Sequence, residues 1–287
     1  MKFFNSFCFH FIYFLDRLWK LDKISAGDIE LSNENINDEN VLSFTSIDLN
    51  NRETLLKEDS QVGAVSFSSV YCLQPFMVRL HTNALLLIDF HAHLARMELC
   101  GYLGGKWEPQ SQQLNIFQAY PIKYTNDLKE LEKQKSAIKS NIIEKGQMLV
   151  GWYHTHPDKG PQPSVKDIKH QLKIQKVMLS SGKKGAIPDY CPVVGLIVSP
   201  FNQRTTKLNS LMQVFWVMPL LVDNCRDFGR PMQMQYTVYR DAFLTQDLLV
   251  EMVCIMDYVI IILNILFYST ANISNWFGVT PKVYQIS

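Results

Sequence analysis

Met148-Leu149-Val150-Gly151-Trp152-Tyr153-His154-Thr155-His156-Pro157 is a short run rich in β-branched and aromatic residues that closes on two histidines, and it reads as a buried strand. Side chains alternate across a strand, so His154 and His156 share a face and can bring two imidazole nitrogens to one ion, each at about 2.0–2.1 Å. Beyond them Pro161 and Pro163 break the chain. Ser164-Val165-Lys166-Asp167, followed by Ile168, Leu172, Ile174, Val177 and Met178, then reads as a helix with a Ser N-cap and an acid in its first turn. The partial positive charge of a helix N-terminus favours the ionised carboxylate that a metal ligand needs, so Asp167 can face back toward the histidines. Two His and one Asp leave a fourth tetrahedral position open, which separates catalytic zinc sites from closed structural ones. Zinc lowers the pKa of water to about 7, but a base must still take the proton and hand it on. Glu98, at the head of the apolar, glycine-ended stretch Glu98-Leu-Cys-Gly-Tyr-Leu-Gly-Gly105, is the candidate.

Taken together, Glu98, His154-Thr155-His156-Pro157, Ser164 and Asp167 resemble the JAMM motif of the MPN domain metalloproteases, which are largely isopeptidases acting on ubiquitin or ubiquitin-like conjugates. The gaps agree as well as the residues: seven positions separate His156 from Ser164 and two separate Ser164 from Asp167. Flanking text at Glu98–Trp107, Gly151–Pro157 and Phe215-Trp-Val-Met-Pro219 resembles the subgroup that holds the MPN domain-containing proteins and the histone deubiquitinases with Myb, SWIRM and MPN domains. The likeness runs from about Asn83 to Asp257. It implies that His154, His156 and Asp167 ligate one Zn2+ per chain, that Glu98 is general base and then acid, and that Ser164 hydrogen-bonds the oxyanion. It also implies a ubiquitin-modified protein as substrate, a chromatin or histone partner, and hydrolysis without a covalent enzyme intermediate.

Each residue alone has a plainer explanation. A His-X-His pair in a strand is more often incidental than a ligand, Ser-X-X-acid before an apolar run is an ordinary helix start, and Glu98 alone is a strand-edge charge. Three separated segments reproducing one five-residue pattern is what outweighs them. A second pair, His91 and His93, serves as a control. It lies in Asn83–Met97, whose apolar spacing suits a helix, where residues two apart point about 200° from one another and cannot share an ion.

Other site classes find no support. The six cysteines form no C-x-x-C pair, and no HExxH, G-x-S-x-G or complete phosphate-binding G-x-x-x-x-G-K-[ST] loop is present. Cys100, two residues from Glu98, reads as buried packing. A net charge of +1 argues against a dedicated nucleic-acid surface. Scattered unpaired cysteines suit a reducing compartment, hence an intracellular, nuclear or cytoplasmic location.

Along the 287 residues, with 47% hydrophobic content, one sizeable core is expected. Residues 1–20 are dense in Phe and read as an apolar N-terminal segment, an amphipathic helix or short h-region without a small-residue cleavage site. Residues 21–61 carry ten Asp or Glu against three Lys or Arg, among many Asn and Ser, and read as a disordered acidic linker. The catalytic domain is expected over 62–245. Its coarse order is a strand near Val65–Tyr71, the helix from Asn83, a strand from Glu98, a strand near Leu114–Tyr120 and a charged helix over Asn126–Glu144. In that helix Leu128, Leu131, Ile138 and Ile142 form a stripe expected to cover a sheet. The histidine strand, the helix opened by Ser164, a buried run Cys191–Ser199 and a closing strand Gln213–Met218 follow. This is an α/β chain with a mixed, curved β-sheet flanked by helices, in agreement with the MPN fold that the resemblance implies.

Residues 246–287 would hold a C-terminal helix and an atypical tail. The run Tyr258–Tyr268 is eleven residues long, short of the ~20 a bilayer span needs, so a membrane anchor is not expected. Two alternatives to catalysis belong to other classes: a non-catalytic scaffold of the same fold, which would lack a ligand or the base, and a chromatin or DNA reader. The loops Gly182–Tyr190 and Pro200–Asn209 are candidates for contacts to a second ubiquitin.

Overall fold

The structure is a computed structural model that describes residues 27–29, 58–181, 191–201, 210–218 and 229–258. The readings of residues 1–20, of the tail beyond residue 258 and of the loops at 182–190 and 202–209 lie outside the described residues.

The strands are β1 (Gly27–Ile29), β2 (Val65–Ser66), β3 (Met77–His81), β4 (Cys100–Glu108), β5 (Gln113–Pro121), β6 (Met148–Thr155), β7 (Val194–Ser199), β8 (Leu211–Met218), β9 (Arg230–Gln233) and β10 (Tyr236–Arg240). The helices are α1 (Thr82–His93), α2 (Leu128–Glu144), α3 (Val165–Ser181) and α4 (246–258). All ten strands join one mixed sheet in the order β1-β10-β3-β5-β4-β6-β7-β8-β9-β2. β4 pairs antiparallel with β5 and β6, and β6 pairs parallel with β7. The sheet curls into a half-barrel.

Apolar side chains fill both faces at the sheet's centre. One cluster packs α1 and α4 against β3 to β8 through Leu80, Leu87, Ile88, Leu114, Tyr153, Leu196, Trp216, Leu248 and Ile255. The other packs α3 against the opposite face through Trp152, Val165, Ile168, Ile197, Phe215 and Val217. This double burial is why β7 reads as an unbroken apolar run, buried at every position. Glycine lets the central strands approach closely: a Cβ on Gly105 would stand 1.9 Å from the Asn115 carbonyl oxygen, and one on Gly101 2.4 Å from the Tyr153 ring.

Several expectations shift on the structure. The strand read over Val65–Tyr71 is two residues long and gives way to a 3-10 turn at Ser68–Val70. Serine hydroxyls explain this, since Ser69 N donates to Ser66 Oγ at 3.2 Å and Ser69 Oγ donates to Ser66 O at 2.8 Å, local bonds that compete with a ladder. The helix over Asn126–Glu144 does not cover the sheet with a full stripe: Leu128 is 76% exposed and Ile142 is its one buried residue. The domain does not close at Gln213–Met218, because β9 lies beside β8 and β10 beside β3. Pro231 in β9 disguises that strand, yet it sits opposite Val217 where the β2 pairing has not begun. Within the acidic stretch, Gly27–Ile29 pairs antiparallel with β10 at the sheet's edge.

Candidate metal centre

β6 ends where α3 begins to run back across it, and the candidate residues meet at that corner. His154, near the end of β6, has a side chain 15% exposed, and its Nδ1 lies 2.9 Å from Asp167 Oδ1. His156, one residue past the strand and 2% exposed, has its Nε2 3.2 Å from Asp167 Oδ2. The two rings stand edge to face with centroids 5.0 Å apart. Strand alternation delivers this, and the backbone bond from His156 N to Val198 O at 2.8 Å carries the β7 pairing past His154 to hold the second ring in place.

Asp167 lies in the first turn of α3 and is 3% exposed. Its Oδ2 accepts from Ser164 N at 2.8 Å and from Ser164 Oγ at 2.6 Å, while Asp167 N donates to Ser164 Oγ at 3.2 Å. This is a reciprocal N-terminal cap. Burial alone would raise the Asp167 carboxyl, but the hydrogen bonds and charges of His154 and His156 together reverse this and hold it well below the usual carboxylate range. The carboxylate is therefore ionised, the form a cation requires.

Glu98 precedes β4, its side chain 48% exposed, with Oε2 3.5 Å from His154 Nε2. Thr155, the residue between the two histidines, fixes that position. Its hydroxyl accepts from Leu99 N at 2.7 Å and donates to Met97 O at 3.3 Å, and its own N donates to Leu99 O at 2.8 Å. The residues on either side of Glu98 are thus pinned by one fully buried hydroxyl. His154, His156, Asp167, Ser164 and Glu98 all converge. Ligand atoms of the first three lie within 4.8 Å of one another. Donors at ~2.1 Å from a tetrahedral ion stand roughly 3.4 Å apart, a contraction that rotation of an imidazole supplies, so these residues fit a metal ion.

The control pair behaves as helical spacing predicts. His91 is buried and meets Tyr153 Oη through Nδ1 at 2.8 Å, whereas His93 Nδ1 turns back to Asp89 O at 2.8 Å. Cys100 is a correction: it is exposed, not buried packing, because it begins β4 directly opposite His154. Neighbouring atoms still desolvate its thiol and raise its pKa, which opposes a thiolate nucleophile.

Sequence reasoning passed over two supports. Glu58–Val62 lies across the start of α3: Val165 N donates to Ser60 O and Lys166 N to Glu58 O, each at 3.0 Å, and Val62 N donates to Pro163 O at 2.8 Å. Gln61 Nε2 donates to Gly160 O at 2.6 Å and Gln162 O at 3.0 Å and lies 3.3 Å from His156 Nδ1. Nothing in the acidic, Asn- and Ser-rich composition around it marks this role. The second is Thr155, whose signal was its place between the histidines.

Residues 75–179 match the family described as JAB1/Mov34/MPN/PAD-1 ubiquitin protease. The chain carries an MPN domain. It is 34% identical over 217 residues to the MPN domain-containing protein CG4751 of Drosophila melanogaster, covering 75% of this chain and 15% of that protein. To the MPN domain-containing protein of Mus musculus it is 33% identical over 211 residues, covering 73% and 42%. To the Homo sapiens protein named Deubiquitinase MYSM1 it is 31% identical over 134 residues, covering 46% and 15%. The chain spans less than half the length of these relatives. The MPN match contains all five site residues, while the strap at Glu58–Val62 lies before it.

Proposed function

We propose that this chain is a zinc-dependent isopeptidase that releases ubiquitin or a ubiquitin-like protein from modified proteins. The observation that carries the reading is the meeting of Glu98, His154, His156, Ser164 and Asp167, drawn from three separated segments, at one corner of the sheet. His154, His156 and Asp167 would hold the ion, which when bound supplies a Lewis acid that polarises the scissile carbonyl and acidifies water. Glu98 faces solvent beside His154, placed to take a proton from the attacking water and return it to the leaving lysine amine. Ser164 has one O–H, donated to Asp167 here; once that carboxylate turns to a cation, the hydroxyl is free to donate to the oxygen that gains charge. Tyr153 and His91, buried beneath β6, keep the floor of the site dry.

A non-catalytic scaffold of this fold would lack one of these five groups, and each is present. The substrate proposed is a ubiquitin-modified protein, and the names of the relatives make a histone the first to try. An intracellular site, nuclear or cytoplasmic, suits the unpaired Cys72, Cys100, Cys191 and Cys254 among the described residues. The test is metal analysis with cleavage of ubiquitin chains. Wild type should hold about one zinc per chain and turn over, Glu98→Gln should keep zinc without turnover, and His156→Ala should lose zinc. Equal turnover in all three would refute the proposal.

A further inference from the structure

Asp167, Gln171 and Gln175 are spaced four residues apart along α3 and so form one stripe of the helix. That stripe faces β6. His154 Nδ1 meets Asp167 Oδ1 at 2.9 Å, and two residues earlier on the strand Trp152 Nε1 donates to Gln171 Oε1 at 2.7 Å. Four helical residues advance about 6 Å and two strand residues about 6.6 Å, so the two contacts are successive rungs between elements running in opposite directions. The chain of amides then continues inward. Gln171 Nε2 donates to Gln175 Oε1 at 3.0 Å and to Val193 O at 2.8 Å. Gln175 Nε2 donates to Val217 O at 2.9 Å, and Val217 N donates back to Gln175 Oε1 at 3.1 Å. Every polar atom of both amides has a partner, and through them α3 is tied to β6, to the lead-in of β7 and to β8.

These groups sit in apolar surroundings. Gln171 is 0%, Gln175 2% and Trp152 5% exposed, among Ile168, Ile197, Phe215 and Val217. If packing were all that mattered, Leu or Met would fill the space without the desolvation cost of two buried amides. What the amides add is direction: apolar contact is non-directional and tolerates sliding, whereas a satisfied hydrogen-bond chain fixes one axial position. The carboxylate of the candidate metal centre is one helical turn from the first rung.

We propose that the Trp152–Gln171–Gln175 chain sets the axial register of α3 on β6 and thereby the convergence of Asp167 on His154 and His156, so that these three positioning residues govern metal affinity and ligand geometry. The inference rests on the metal-centre reading above. It is tested in the full chain by zinc affinity from chelator competition, by the visible absorption of the cobalt-substituted protein, and by the melting temperature of the metal-free form. The variants are Gln171→Met, the milder Trp152→Phe, and Phe215→Leu, which empties volume in the same cluster with no polar change. Gln171→Met and Trp152→Phe should each weaken zinc by about 10- to 100-fold, the range for groups that orient ligands, and should alter the cobalt bands. The double variant should be no worse than the worse single. Phe215→Leu should lower the melting temperature while leaving zinc affinity and the cobalt spectrum in place. Wild-type affinity and spectrum in both polar variants, or zinc loss in Phe215→Leu equal to theirs, would overturn the inference. Failure of wild type itself to bind zinc would instead sink the metal centre, and the inference with it.

Discussion

Acid should destabilise this domain through His91, one strand away from the ligands. The imidazole is 4% exposed on α1 and shares a 2.8 Å hydrogen bond with Tyr153 Oη, and burial lowers its pKa from 6.5 to about 4. Between those two values the unfolded chain binds a proton that the native chain refuses, so stability falls as pH falls from 6.5 toward 4 and is fully present above 6.5. At about 1.4 kcal/mol for each unit of separation, the whole window is worth about 3 kcal/mol, of which about 2 kcal/mol is already lost at pH 5. With the side chain enclosed, solvent offers little relief. The assay is urea unfolding at pH 7.5 and pH 5.0, with a chelator present throughout, for wild type and His91→Gln. The histidines of the candidate centre titrate in both proteins and cancel in the comparison, leaving His91. The variant should therefore lose about 2 kcal/mol less than wild type between the two conditions. Equal losses would show that His91 accepts its proton without disturbing the core, and would refute the reasoning. The site should register the same event, because Tyr153 immediately precedes His154 and its ring lies against Gly101.

Two further substitutions separate support from chemistry. Thr155→Val keeps the shape of the side chain but leaves Leu99 N–H buried without its acceptor, at a cost of about 1–3 kcal/mol. Turnover should fall at least tenfold as Glu98 loses its anchor, with zinc content unchanged; unaltered turnover would remove Thr155 from the positioning of Glu98. Gly105→Ala places a methyl group 1.9 Å from the Asn115 carbonyl oxygen, a backbone atom that cannot swing aside. It should destabilise by about 1–3 kcal/mol or more, measured by denaturant midpoint, and a neutral result would mean that the β4–β5 bulge relaxes freely.

How far the fold is legible depends on which period each segment displays. β6 and β7 announce themselves because burial on both faces makes them continuous apolar runs, and α3 because a serine, an acid and an apolar stripe mark its start. β3, β9 and β10 are five residues or fewer, and one contains Pro231, so their pairing partners rather than their composition make them strands. α2 shows the opposite failure: its apolar stripe is real in sequence, but only the turn around Ile142 docks, and propensity with charge pairs carries the rest into solvent. The strap at Glu58–Val62 could not be read at all. Its contribution is made by backbone carbonyls, which every residue has, and composition says nothing about where a carbonyl points.

The site was more legible than its surroundings because its spacing is dictated by geometry on both sides. The plainer account of Ser164 and Asp167 as a helix cap and the account of them as part of a metal centre turn out to describe the same atoms. Asp167 Oδ2 caps through Ser164, while Oδ1 meets His154. The cap fixes the carboxylate before any ion arrives, and the register of α3 on β6 decides where it points. A ligand ordered in this way needs no side-chain rearrangement beyond the imidazoles themselves, and less conformational entropy is lost on binding. The capping residues are therefore part of the binding site, and their spacing from the histidines is constrained twice over: once by the helix start and once by the ion.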